Sequence, residues 1–165
     1  LEDSRQTAQS FMKKLGGHLK QQIKTGGVES AIPVCKQIAP AIAAEYSTNG
    51  KVVKRVSTKA RNTKQGIPDQ WELAALNAFD ATIKSNPSAV QIEQSEVVTE
   101  ADGQYYRYAK AIRIKPLCLS CHGSDTDIKP SVKTVLAKNY PNDVATGYKL
   151  GDLRGAISIK HKIPK

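Results

Sequence analysis

Apolar residues open the chain at helical spacing: Phe11, Met12, Leu15, Leu19 and Ile23 recur with lysines and glutamines between them. The pattern predicts an amphipathic helix over Ser4–Lys24, ended by Thr25-Gly26-Gly27. A second helix is expected from Ser30, carrying Ile32, Cys35, Ile38, Ile42 and Tyr46 and closing at Asn49-Gly50. Pro33 falls in its first turn, where proline is tolerated; Pro40 lies deeper and predicts a kink. Period-two stretches follow. Lys51–Ser57 reads as a β-branched strand, Val90–Val98 as another, and Gln104–Ile114 as its hairpin partner across the turn signal Asp102-Gly103. Between them lie a polar loop through Arg61-Asn62, the pair Pro68-Asp69, and a helix from Trp71 to Lys84 with Ala74, Ala75, Ala78 and Phe79 on its apolar side. A short helix over Ser131–Lys138 and a last strand over Gly155–Lys162 complete the reading.

That order predicts an α+β fold with a small antiparallel sheet. The 165 residues suit one domain, in which residues 1–48 form N-terminal helices, the second bearing Cys35, and 49–165 form the remainder of the same unit. No internal repeat and no low-complexity segment interrupts it.

Charge narrows the function classes. The formal net charge is +10, but lysines are scattered from Lys13 to Lys165 and only 5% of residues are aromatic. Nucleic-acid binding wants basic residues gathered on one face with stacking aromatics, so no nucleic-acid partner is expected. A solvated basic surface, or one that docks an acidic redox partner protein, fits better. No apolar run approaches the roughly 18 residues that span a bilayer, so no transmembrane segment is expected. The first residues, Leu1-Glu2-Asp3-Ser4, carry no secretory signal. A periplasmic or otherwise exported location is expected.

Two of three cysteines stand in Cys118-Leu119-Ser120-Cys121-His122, and Cys35 stands far away. C-x-x-C-H is the attachment pattern of a c-type haem: two thiols three positions apart reach two vinyl groups of one porphyrin as thioethers, and the next residue brings an imidazole to the iron. One covalent haem c is therefore the expected cofactor. Two rivals use the same residues. A thioredoxin-like dithiol leaves the histidine unexplained. A Cys₃His zinc site of Cys35, Cys118, Cys121 and His122 needs the adjacent Cys121 and His122 to converge on one small ion. For the second axial position, the candidates are Cys35, Met12, His18, His161 or no protein ligand. Met12 sits on an apolar stripe, His18 on a polar face and His161 in a basic tail. Cys35 reads as a small buried hydrophobe or as a ligand; a thiol left free in an oxidising compartment invites oxidation, which ligation prevents.

Several segments resemble the Tll0287-like haem-c domain family: Ala31-Ile32-Pro33-Val34-Cys35-Lys36-Gln37-Ile38-Ala39-Pro40, Val53-Lys54-Arg55-Val56-Ser57 with Arg61-Asn62, Pro68-Asp69-Gln70-Trp71-Glu72, Tyr105-Tyr106, the C-x-x-C-H motif with Gly123, and Gly151 to Ser158. The resemblance implies a PAS-like fold, a small antiparallel sheet flanked by helices after an N-terminal helical segment. It also implies that Cys35 is the second axial ligand. A thiolate favours ferric iron, so low-potential electron transfer or redox sensing is expected. The alternative is a sensor of NO or CO in which the gas displaces Cys35. Arg55, Lys59 and Arg61 are candidates for the haem propionates, since guanidinium suits carboxylate. Trp71, Tyr105 and Tyr106 are candidates for packing on the porphyrin. No nucleophile or acid–base constellation points to an enzyme.

Overall fold

The computed structural model describes residues 1–164. Its first element, α1 (Glu2–Tyr46), is broken only at Gly27, where φ is 77° and ψ 178°. An L side chain resists that conformation, so glycine sets where the helix folds back. The two arms, residues 2–26 and 28–46, lie antiparallel: Lys14 pairs with Glu45 at 2.6 Å, and the rings of Phe11 and Tyr46 meet edge-on at 6.2 Å. Pro33 and Pro40 keep helical dihedrals, and the reversal of the chain is made at Gly27.

The strands are β1 (Lys51–Val56), β2 (Glu93–Glu100), β3 (Gly103–Arg113) and β4 (Leu153–Lys162). They form one antiparallel sheet in the order β1-β4-β3-β2. The hairpin turn centres one residue earlier than expected, since Glu100 already pairs with Gly103. β2 also starts later than the alternation suggests. Arg113 binds the carbonyls of Pro87 and Ala89, both at 2.9 Å, and draws that segment out as a loop that leaves Val90 exposed.

Alternation along the strands gives the sheet two differently clothed faces. Val53, Tyr108, Ile157 and Ile159 point to α1 and pack with Ala8, Phe11, Leu15, Ala39 and Ile42. Val56, Ala109 and Ala156 point the other way, to α2 (Gln70–Ser85), and pack with Ala75, Leu76, Phe79 and Ile83. α2 starts sharply because Asp69 and Glu72 cap it reciprocally, each side chain accepting the other's backbone N–H at 2.9 and 2.8 Å. After β3 the chain passes through a 3₁₀ turn (Pro116–Cys118), the single-turn helix α3 (Leu119–His122) and α4 (Pro130–Asn139) before β4. Among the described residues no helix is long and apolar enough to cross a membrane.

Candidate functional site

Pro116 opens the 3₁₀ turn, and the helical dihedrals carry on through His122 until the Gly123 N–H closes on the Leu119 carbonyl at 2.9 Å. Residues three apart on a helical turn share a face, so Cys118 and Cys121 present their thiols side by side. All three cysteines are free and partly exposed. Cys121 packs in the apolar cluster of Ile32, Ile128, Val132 and Leu136, which joins α1 to α4. Cys35 lies one helical turn beyond Ile32 and so faces the same way. It is close enough to Cys121 for its charge to bear on that thiol, whose pKa is raised chiefly by burial. Burial also pushes the Cys35 thiol up, against the pull of Arg55.

The tautomer of His122 is decided by its partner. Its Nδ1 lies 2.7 Å from the Ala145 carbonyl oxygen, which can only accept, so Nδ1 carries the proton and Nε2 keeps the lone pair. Burial, with the nearby positive charges of Arg154 and Arg61, pushes the imidazole pKa down to about 2. A neutral imidazole with a fixed free nitrogen is what metal coordination requires. The Tyr148 ring stands edge-on to His122 at 6.2 Å, and the Tyr148 N–H donates to the His122 carbonyl at 3.0 Å.

Three guanidiniums gather here. Arg61 is committed to protein: Nη2 donates to the carbonyls of Cys121 and, at 3.2 Å, Ala145, and pairs with Asp143 at 2.9 Å. Arg154 donates to Ser57 Oγ at 2.9 Å and to the Lys59 carbonyl, and burial pushes its pKa down to about 10. Arg55 has no hydrogen bond or ion pair among the described residues. It is exposed to solvent and stands close enough to Cys35 and Tyr140 for their charges to bear on it. Among the described residues Asp143 is the one carboxylate bonded to this trio and serves Arg61, which leaves Arg55 and Arg154 without an anion.

Set against the sequence, Arg55 stays available for an anionic group. Arg61 is a brace of the motif instead, and Lys59 donates to the Thr146 carbonyl at 2.7 Å and lies over Tyr148. Arg154 was missed; its only sequence signal is its place in the Gly151–Ser158 segment. The three expected packing aromatics lie elsewhere. Trp71 belongs to the α2 face, stacked on Arg107 at 4.8 Å and donating to Glu96. Tyr105 pairs with Lys162, eight residues along β3 from Arg113, which is about 27 Å. Tyr106 packs against the Phe11 cluster. The aromatics beside the motif are Tyr148 and Tyr140, the latter under Arg61 at 6.0 Å. Other ligand candidates are also occupied: Met12 packs in the α1 core, His18 is exposed on the first arm, and His161 meets the Asn49 carbonyl at 3.2 Å. Among the described residues no three His, Cys, Asp or Glu side chains are grouped as around a metal ion.

These elements make an antiparallel α+β domain with a helical hairpin in front and a C-x-x-C-H turn at one end of its sheet. The chain belongs to the Tll0287-like family, whose model matches residues 1–162. Its fold is similar to the crystal structure of the cyanobacterial heme-protein Tll0287, with a TM-score of 0.65 and 24% identity over 100% of this chain and 94% of that one. No curated protein matches the chain.

Proposed function

We propose that the chain is a mono-haem c-type cytochrome domain serving low-potential electron transfer or redox sensing, and that it is not an enzyme. Cys118 and Cys121 would hold the haem as thioethers, His122 Nε2 would face the iron from one side and Cys35 from the other. One observation carries the reading: a single turn presents two adjacent free thiols and an imidazole whose tautomer leaves Nε2 bare. Arg55 and Arg154 fit the propionates, because neither guanidinium has a carboxylate partner among the described residues and guanidinium suits carboxylate. When bound, the haem supplies a one-electron couple between ferric and ferrous iron. Around it, the Ala145 carbonyl orients the imidazole, the α1–α4 cluster excludes water beside Cys121, and Cys35 as a thiolate favours the ferric state. The net charge of +10 suits an acidic redox partner, and c-type maturation implies an exported, periplasmic-type compartment.

The second reading is a gas sensor in which NO or CO displaces Cys35, whose thiol is free and partly exposed. Absorption spectra of the ferric and dithionite-reduced protein, with and without CO, test both. Haem bound covalently, low-spin in both states and indifferent to CO, supports the carrier; a ready CO shift of the reduced Soret band supports the sensor. Loss of the ferric low-spin spectrum in Cys35→Ala is expected under either. Material from a host competent in c-type maturation that carries no covalent haem would overturn the proposal.

A further inference from the structure

Four groups close a ring around one peptide. The Ala145 carbonyl accepts from His122 Nδ1 at 2.7 Å and from Arg61 Nη2 at 3.2 Å, which uses both of its lone pairs. The Ala145 N–H donates to Asp143 Oδ1 at 2.9 Å, and the other oxygen of that carboxylate pairs with Arg61 at 2.9 Å. Arg61 also binds the carbonyl of Cys121, the residue before His122. Both members of the ion pair are largely buried, with side chains 11% and 9% exposed.

We propose that Arg61 is a positioning residue for the His122 imidazole, and that it holds the reduction potential above the value His122 and Cys35 alone would set. This rests on the reading of His122 as an iron ligand. A histidine that donates strongly through Nδ1 becomes a richer donor at Nε2, which favours ferric iron. A charge-assisted donor on the same oxygen draws electron density from it and weakens the competing His122 bond. Arg61 therefore moderates the donor strength of His122, while its hold on the Cys121 and Ala145 carbonyls fixes the direction of the ring.

The double variant Arg61→Gln with Asp143→Asn tests this. The ion pair is replaced by two neutral amides of similar shape, so the local net charge is unchanged and no buried charge is left unpaired. The expected result is an unchanged low-spin spectrum, a ferric preference raised about tenfold, which is about 59 mV lower for a one-electron couple, and a downfield move of the His122 Nδ1–H resonance in the ferrous protein. Arg61→Lys keeps the charge, but its shorter side chain leaves the ammonium short of the Nη2 position, and the variant should fall between. It carries the test if the double variant takes up no haem. An unmoved potential and an unmoved Nδ1–H resonance, in a variant with the wild-type spectrum, overturn the proposal. Absence of covalent haem from the unaltered chain would instead overturn the cytochrome reading itself.

Discussion

Replacing Glu72 with alanine probes what holds the α2 face of the sheet. Its carboxylate is fully buried and takes a hydroxyl bond from Ser158 at 2.6 Å, the Asp69 N–H at 2.8 Å, Lys54 at 2.9 Å and Arg107 at 3.5 Å. Removing one member of a buried ion pair costs about 3–5 kcal/mol, because the partner is left uncompensated. Here the partners are unequal. Lys54 is 34% exposed and can swing into water, and Arg107 keeps Asp69 at 2.6 Å. The Asp69 cap also survives, since it accepts from a backbone N–H that alanine still supplies. The lower end, about 3 kcal/mol, is expected, which for a domain of this size lowers Tm by about 6–12 °C. Urea unfolding of the haem-loaded protein should show a lower midpoint with an unchanged slope. Glu72→Gln, whose one carbonyl oxygen keeps the Asp69 N–H bond and whose amide can donate to the Ser158 hydroxyl, should lose less. A loss below about 1 kcal/mol for alanine, the level of an exposed ion pair, would refute the reasoning.

Phe11→Ala should cost about 3–5 kcal/mol in the same urea assay, since the ring is fully buried between the first arm and the sheet. Gly155→Ala should cost about 1–3 kcal/mol or more, because φ there is 159° and a Cβ would overlap the Val56 carbonyl across the β1–β4 pair; retained wild-type stability would count against the register. Glu93 gives a pH dependence: the Arg5 guanidinium at 2.7 Å holds its carboxyl below the usual range, against its partial burial and with help from the Tyr108 hydroxyl. Its folded pKa is thus below its unfolded one, so its contribution is complete above about pH 4.5 and is lost as pH falls through the folded value. Urea midpoints between about pH 6 and 3 should fall less steeply in Glu93→Gln than in the unaltered chain, and equal slopes would refute the assignment.

The local signals were legible because their physics is local. Helical spacing placed α1 and α2, Gly27 marked the reversal, and the spacing of Cys118, Cys121 and His122 implied one turn, which α3 and the preceding 3₁₀ turn supply. What failed depended on long-range pairing. Tyr105 and Tyr106 follow one another on β3, so they point to opposite faces, and only the register with β4 reveals that both lie toward the end far from the motif. Arg61 reads as one more loop cation until it meets Ala145, 84 residues away. Arg154 stands at the start of a strand, where its charge alone gives no hint that it closes on Ser57 and Lys59.

The contrast between the two faces of the sheet separates what folding needs from what function needs. On the α2 face, the buried cation Arg107 is answered three times, by Asp69, Glu72 and Glu100. Lys54 is answered by the same buried Glu72. That network neutralises itself, as a purely structural cluster must if burial is not to cost more than it gains. At the other face, Lys54's neighbour Arg55 projects toward Cys35 and Tyr140 and finds no carboxylate, and Arg154 is bonded only to a hydroxyl and a carbonyl. The same strand thus carries a satisfied cation and an unsatisfied one at consecutive positions. Among the described residues neither guanidinium is paired with a carboxylate, which leaves positive charge close to His122 and Cys35.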